Sequence, residues 1–230
     1  MRGVMCHSTM KRFLSILLLN IVCILCFGQI NCHCGALPDI KTKNEPDTIV
    51  KLSNNNSFAI CGWFDTIYGE KVISEFTITV CGEINALRFY SAVENYKIAV
   101  SADTLILSDM RILPIGENHN FKMYPWAFEY YYFARNKTNA KDSCIIKRKI
   151  NKNLKKLNQN EISLIDSIWN NSTRTDYLTN EQFISLIFLA AISGNELYQK
   201  RLLNFRNTFK IDGEYAEYYN ELVKMFYEWK

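Results

Sequence analysis

"KVISEFTITVC", residues 71–81, is the stretch that decides the fold class. Apolar side chains alternate with polar ones along it, and Val72, Phe76, Ile78 and Val80 fall on one side. Such a period of two is typical of a half-buried β-strand, because successive side chains of a strand point to opposite faces. The stretch therefore predicts a strand that packs one face on a core.

Six further runs up to residue 150 have strand-like composition and are separated by short turns. They are FAICGWF (58–64), ALRFYSAV (86–93), YKIAVSA (96–102), DTLILSDMRIL (103–113), WAFEYYYFA (126–134) and SCIIKRKI (143–150). The connections are too short for helical crossovers, so hairpins are expected around residues 68–70, 81–83 and 101–103. The pattern predicts an antiparallel meander of about five to seven strands.

After Ile150 the apolar period changes to that of a helix. Asn158 with Glu161, and Thr179 with Gln182, have the spacing of capping boxes at helix N-termini. The second box precedes FISLIFLAAI (183–192), which is apolar on nearly all sides and is expected to form the central helix. Two more amphipathic stretches follow, so about four helices are expected.

The fold class that follows is α+β. We expect a β-rich part over residues 47–150 and a small helical part over residues 151–230, packed together on one face of the sheet. No internal repeat and no low-complexity tract interrupts this organisation.

The N-terminus has the layout of a secretory signal peptide. Lys11 and Arg12 precede an apolar run over residues 13–28, and cleavage is expected after Gly28. Residues 29–46 contain two prolines and read as a flexible tether. The expected protein is exported and bacterial, with a periplasmic or extracellular location. The alternatives are a lipid anchor or a retained N-terminal segment, which would be its only link to a membrane.

The net charge gives no support for nucleic-acid binding. The whole chain has 27 basic and 23 acidic residues, a net charge of +4. Loss of residues 1–28 would remove three basic residues and no acidic one, which leaves a net charge of +1. The apparent basicity therefore belongs mostly to the targeting segment.

The cysteines suggest an oxidised protein and no metal site. Cys32, His33 and Cys34 lack a second ligand pair elsewhere in the chain, so they are expected to form an exposed terminus that binds no metal. Cys61 and Cys81 share the pattern of an aliphatic residue, Cys and Gly, and they are the candidate disulfide. No cofactor-binding motif is present.

No catalytic motif is present either, so we expect a protein that is not an enzyme. The alternative is an extracytoplasmic hydrolase that uses carboxylates, with His119 as a conceivable base. Asp109 and Glu117 lie near His119 in the sequence. Further candidate carboxylates are scattered over the predicted strands and turns: Asp65, Glu70, Glu75 and Glu129.

Two patches point to binding, and the expected function is that of a non-enzymatic interaction protein of the cell envelope whose partner is another envelope protein. One patch is aromatic and comprises Trp126, Phe128, Tyr130 and Tyr132. The other is basic and comprises Lys147, Arg148 and Lys149. Each also has a plain structural reading. The helices can cover the aromatic strand, and the basic run can pair with the acidic last helix.

Overall fold

The computed structural model describes residues 31–36, 45–135, 142–154, 156–171 and 179–230. In these described residues eight strands precede four α-helices, which confirms the α+β class. The strands are β1 (Thr48–Lys51), β2 (Ser57–Ile67), β3 (Glu70–Val80), β4 (Arg88–Tyr90), β5 (Asn95–Ser101), β6 (Thr104–Leu113), β7 (Lys122–Arg135) and β8 (Asp142–Ile150). The helices are α1 (Gln159–Asn171), α2 (Asn180–Ile192), α3 (Glu196–Thr208) and α4 (Gly213–Trp229). The expected signal peptide lies outside the described residues.

The strands form one antiparallel sheet in the order β1-β2-β3-β5-β6-β7-β8, and β4 pairs with β3 beside that path. Tyr68 and Gly69 join β2 to β3 with positive φ angles of 50° and 76°. Two successive positive angles suit the right-handed twist of a tight hairpin. Ala102, with a φ angle of 48°, lies in the equally short turn between β5 and β6. The predicted hairpins at these two places are confirmed.

The prediction of a full strand over residues 86–93 is too long. Only Arg88–Tyr90 form a strand there, which pairs with β3. Composition alone marked this run as a strand, but an extended segment becomes a long strand only where a neighbour can pair with it.

The described chain forms two compact units. The disulfide unit contains residues 31–36, 45–51, 55–61 and 77–89, and the helical unit contains the others.

The disulfide unit is held by two cross-links, Cys32–Cys81 and Cys34–Cys61. The Cα atoms are 4.5 and 5.8 Å apart, within the range that a disulfide spans. The expected Cys61–Cys81 pair is therefore not formed, because each of these cysteines is bonded to a cysteine of the N-terminal segment. The free cysteine among the described residues is Cys144.

The expected tether is also corrected over residues 31–36, which lie against Cys61 of β2 and the end of β3. The Gly82 N–H donates to the Asn31 carbonyl over 3.0 Å, and the Gly35 N–H donates to Thr79 Oγ1 over 2.8 Å. A Cβ atom at Gly35 would come within 2.3 Å of the Ala86 backbone nitrogen, so only glycine permits this approach. The two disulfides and these bonds fix a segment that its composition alone marked as loose.

The helical unit has its core around α2. All ten residues from Phe183 to Ile192 are buried, which confirms the expected central helix. Residues from the other helices and from β6 and β7 pack against it, including Ile165, Leu202, Phe205, Leu222, Phe226, Leu113, Trp126 and Ala127. None of the described helices is both long and apolar enough to span a membrane.

Both capping boxes are present in the helical unit. The Glu161 N–H donates to Asn158 Oδ1 over 3.0 Å, and the Asn158 N–H donates to Glu161 Oε2 over 2.6 Å. Thr179 and Gln182 exchange the equivalent bonds at the start of α2. Each box satisfies two N–H groups that a helix N-terminus leaves without partners, which is why these helices begin where the sequence indicates.

Candidate binding surface

A β-bulge in β7 separates Trp126 from the other aromatic residues of the strand. Asp109 of β6 is opposite Ala127, and Met110 is opposite Pro125, so Trp126 is an extra residue in β7. Its side chain is 0% exposed, and its Nε1–H donates to Glu228 of α4 over 3.2 Å. Trp126 is therefore part of the helical core, and no partner reaches it. This corrects the expectation of one continuous aromatic patch.

Phe128, Tyr130 and Tyr132 lie on the opposite side of β7 from the buried Glu129 and Tyr131. All three are half-buried, and none belongs to the helical core. The two faces of the strand thus differ. On the inner face, Trp126 and Ala127 belong to the helical core, and Glu129 and Tyr131 contact Tyr90. The plain reading, in which the helices cover the whole aromatic strand, holds only for Trp126.

Lys147 and Lys149 of β8 lie beside these rings. Tyr130 is opposite Lys147, and Phe128 is opposite Lys149, in the register of β7 and β8. Lys147 Nζ is 5.5 Å from the centre of the Tyr132 ring. Both lysines are exposed. We call these five residues, Phe128, Tyr130, Tyr132, Lys147 and Lys149, the aromatic face.

The Lys147 ammonium also receives electrostatic support from this arrangement. A hydrogen bond to Tyr132, followed by the Coulomb interaction with the same side chain, raises the pKa of Lys147. The positive charge of Lys147 is therefore retained at neutral pH. Phe128 and Tyr130 continue the row, with ring centres 6.3 Å apart. The arrangement can stack apolar groups and attract a carboxylate at the same place.

Arg148 points to the other face of β8 and joins a buried ion network. Its Nη2 is 2.9 Å from Asp109 Oδ2, and its Nη1 is 3.3 Å from Glu129 Oε1. Asp109 is 0% exposed and Glu129 is 1% exposed. Arg148 also reaches Glu228 of α4 at 3.5 Å, which agrees with the plain reading of the basic run. Arg148 is thus a structural residue and lies apart from the lysines that flank it.

Arg111 is the second cation of this network. Its Nε is 2.8 Å from Asp109 Oδ1, an ion contact without the alignment of a hydrogen bond. Its Nη atoms bind Glu94, at 3.0 Å, and Glu221 of α4. Burial alone would lower the pKa of Arg111, but the facing carboxylates, Asp109 first, raise it overall. At Arg148, burial alone would likewise lower the pKa, but the neighbouring carboxylates, Asp109 first, raise it overall. Both cations therefore stay charged.

Tyrosine hydroxyls complete the network on the side of Glu129. The Tyr90 hydroxyl donates to Glu129 Oε2 and contacts the Tyr131 hydroxyl, which donates to the same oxygen over 3.2 Å. Burial, then the neighbouring Tyr131 and Glu129, raises the pKa of Tyr90. The Tyr90 hydroxyl therefore remains a protonated donor. Arg111 and Glu221 also line a cavity of about 200 Å³, whereas Asp109 and Glu129 do not. The ion pairs of the network join β6, β7 and β8 to α4.

His119 lies in a different place and lines a cavity of about 380 Å³ beside the start of α1. Its Nδ1 is 3.9 Å from Glu161 Oε1, and Glu117 also lines the cavity. Glu161 already caps α1 through its other oxygen. The remaining hydrolase candidates, Asp65, Glu70, Glu75, Asp109 and Glu129, do not line this cavity.

The sequence interpretation did not identify the ion network, although one signal for it was present. In DTLILSDMRIL (103–113), Asp109 continues the alternation of Leu105 and Leu107, which are buried. A carboxylate at an inward strand position needs a buried cation or donor as partner.

Comparison of the chain with protein-family models, curated proteins and solved structures finds no match.

Proposed function

We propose that this chain is an exported, non-enzymatic protein that binds an acidic partner protein of the cell envelope through the aromatic face. The observation that carries the proposal is the position of Phe128, Tyr130 and Tyr132, half-buried outside the helical core and flanked by two exposed lysines. Aromatic side chains are enriched at protein interfaces, whereas a purely structural sheet face of this kind is usually covered.

The extracytoplasmic location is supported by two kinds of observation. Both disulfides of the disulfide unit fit an oxidising compartment, since cytoplasmic proteins rarely keep such bonds. The basic residues Lys11 and Arg12, followed by the apolar residues 13–28, have the layout of a signal peptide. The mass of the purified mature chain tests this location. A first residue of Gln29 supports export and cleavage, whereas an intact or lipidated N-terminus supports an anchored module.

The chemistry of the partner follows from the charges on the aromatic face. Lys147 and Lys149 supply two positive charges two residues apart on one side of β8. On the same face, Lys97 of β5 is already paired with Glu70. An acidic surface with apolar or aromatic groups complements such a face, and charge complementarity speeds association with the matching partner.

Site-specific photo-crosslinking tests the proposal in the producing cells. A photo-reactive phenylalanine analogue in place of Tyr130 is expected to yield a discrete adduct in the envelope fraction. The same analogue in place of Tyr227, which is 60% exposed on α4, serves as the control. Charge reversal by Lys147→Glu with Lys149→Glu should abolish the adduct at position 130. Equal adducts at both positions, or an adduct that survives charge reversal, would count against the proposal.

A carboxylate-dependent hydrolase remains the second candidate, because His119, Glu117 and Glu161 line one cavity. This arrangement is the weaker support, since Glu161 is engaged as the cap of α1. Purified protein and its His119→Ala variant can be compared on chromogenic ester and glycoside substrates. Turnover that depends on His119 would favour the hydrolase over the binding protein.

A further inference from the structure

Strand β8 is the last strand in the order of the sheet. It pairs with β7 over nine residues, from Asp142 to Ile150. In the described part of the chain, no strand pairs with β8 on the side away from β7. The free side of such an edge strand offers a row of backbone N–H and C=O groups that another strand can pair with.

The pairing with β7 indicates which backbone groups of β8 point outward. The Asn151 N–H donates to the Trp126 carbonyl over 2.8 Å, and this contact continues the register of Ala127 opposite Ile150. Backbone groups of an antiparallel strand alternate in direction. The odd-numbered residues therefore bond to β7, and the outward groups are those of Cys144, Ile146, Arg148 and Ile150.

The side chains beside this edge select what can pair with it. Lys147 and Lys149 lie on the aromatic face, next to where the side chains of an added strand would fall. Lysines at an edge discourage pairing with basic or neutral strands, and this protection is their ordinary role. The same two charges favour a strand with carboxylates at alternate positions. A positive and a negative side chain that face each other on neighbouring strands attract and stabilise the pairing.

We propose that an extended acidic segment of a partner protein adds to β8 as a ninth strand of the sheet. Its backbone pairs with the outward groups of Cys144, Ile146, Arg148 and Ile150. Two of its carboxylates, two residues apart, lie beside Lys147 and Lys149 of the aromatic face. This inference rests on the proposed function, and it names the mode of binding and the class of partner.

The test uses the purified protein with its disulfides intact and a capped synthetic peptide of alternating threonine and glutamate. Addition to β8 predicts that hydrogen exchange slows by about tenfold or more at the amides of Cys144, Ile146, Arg148 and Ile150. The amides of Ile145, Lys147 and Lys149 already bond to β7 and should change little. A matched peptide of threonine and lysine should produce neither effect.

Two pairs of substitutions provide the charge control. Lys147→Glu with Lys149→Glu should weaken binding of the acidic peptide by about tenfold or more. Lys200→Glu with Lys210→Glu reverses two exposed charges elsewhere, on and just after α3, and should leave binding within about twofold. Higher salt should weaken binding to the unaltered protein, because both lysines are exposed to solvent.

The outcomes separate this inference from the proposed function. Binding that depends on Tyr130 and the lysines, without slower exchange at the outward amides, overturns strand addition and leaves the aromatic face as the site. Slower exchange that survives Tyr130→Ala supports strand addition and counts against the aromatic face. Slower exchange of the outward amides in concentrated protein without peptide would mean that a second copy pairs there, and it overturns the acidic partner. Absence of any binding by the acidic peptide also overturns strand addition.

Discussion

Arg148 on β8 and Asp109 on β6 form an ion pair across the intervening strand β7, with 2.9 Å between Nη2 and Oδ2. The same guanidinium reaches Glu129 on β7 and Glu228 on α4. One side chain thus joins three strands to the last helix. Because Asp109 and Glu129 are fully buried, the fold depends on this cation more than on an ordinary surface arginine.

Arg148→Met is expected to lower the free energy of unfolding by about 3 kcal/mol, since it leaves two buried carboxylates without one of their cations. Arg148 is 34% exposed, so a larger loss is not expected. Urea unfolding followed by circular dichroism measures the change. Lys149→Met, one residue away and exposed, is the control and should change stability by less than about 0.5 kcal/mol. Equal effects of the two substitutions would show that the network contributes nothing.

Glu94 should contribute a stability that is lost in acid. Burial alone would raise its pKa, but the hydrogen bond from Tyr96 and the charge of Arg111 lower it below its ordinary value of 4.5. The folded state therefore holds the ionised form more strongly than the unfolded state does. This contribution is complete above about pH 4.5 and declines as the pH falls through the folded-state pKa.

Urea midpoints measured between about pH 6 and 3 test this dependence on Glu94. The Glu94→Gln variant should lose less stability over that range than the unaltered protein. Glu217→Gln, which alters an exposed residue of α4, should follow the unaltered protein. Parallel curves for all three proteins would contradict the assignment.

The disulfide pairing can be read from a non-reducing digest. Peptides that link Cys32 to Cys81 and Cys34 to Cys61 are expected, and a peptide that links Cys61 to Cys81 would contradict the pairing. The linked residues are 49 and 27 positions apart, so loop closure predicts about 3–4 kcal/mol of stabilisation for each bond. Replacement of either pair by serines should lower stability by that order. Cys144→Ser should have a small effect by comparison.

Cys144 should react slowly with alkylating reagents at neutral pH. Burial raises the pKa of its thiol to about 11, from an ordinary value of 9.0. Because only the thiolate reacts, the alkylation rate should climb until about pH 11, whereas the urea-unfolded protein should level off nearer to pH 9. The raised pKa also means that this group stabilises the fold below about pH 9 and ceases to do so as the pH rises through 11. A rate profile equal in the folded and unfolded protein would refute this.

Because of the bulge in β7, we expect truncation of two aromatic residues of this strand to lower the free energy of unfolding by different amounts. Trp126→Ala should lower the free energy of unfolding by about 3–5 kcal/mol, because the ring is buried between Phe188 and Trp229. Tyr130→Ala should cost less than about 1.5 kcal/mol, since Tyr130 is half-buried outside the helical core. Thermal unfolding of the two variants provides the comparison. Similar losses would mean that both residues lie in the core.

The helices were the most predictable part of the fold. The capping boxes Asn158–Glu161 and Thr179–Gln182 act within four residues of sequence, so local chemistry alone specifies where α1 and α2 begin. The run over residues 183–192 is apolar on nearly all sides, and such a helix can be stable only when it is covered. These predictions needed no knowledge of distant contacts.

The positions of the strands were nearly as predictable, but their partners and faces were not. The alternation in β6 is a local property, and it appears in the structure up to Asp109. In β3 the predicted alternation of buried and exposed residues is wrong, because Thr77 and Thr79 are buried together with Phe76 and Ile78, so both faces of that part of the strand are covered. The bulge that turns Trp126 toward the helices arises from the register between β6 and β7, which no single strand encodes. The ion network depends on the same register, because it brings together residues from three strands and α4.

The sequence by itself determined the α+β class, the extents of most strands and the starts of two helices, because each depends on side-chain periodicity or on bonds between close neighbours. Only the tertiary structure decided that Cys32 and Cys34 bond to Cys81 and Cys61, which fixes residues 31–36 of the expected tether. The tertiary structure also decided that Trp126 belongs to the helical core and Arg148 to the ion network, and that neither belongs to the aromatic face. These outcomes depend on contacts between residues far apart in the chain, and composition and spacing do not specify which residues form such contacts.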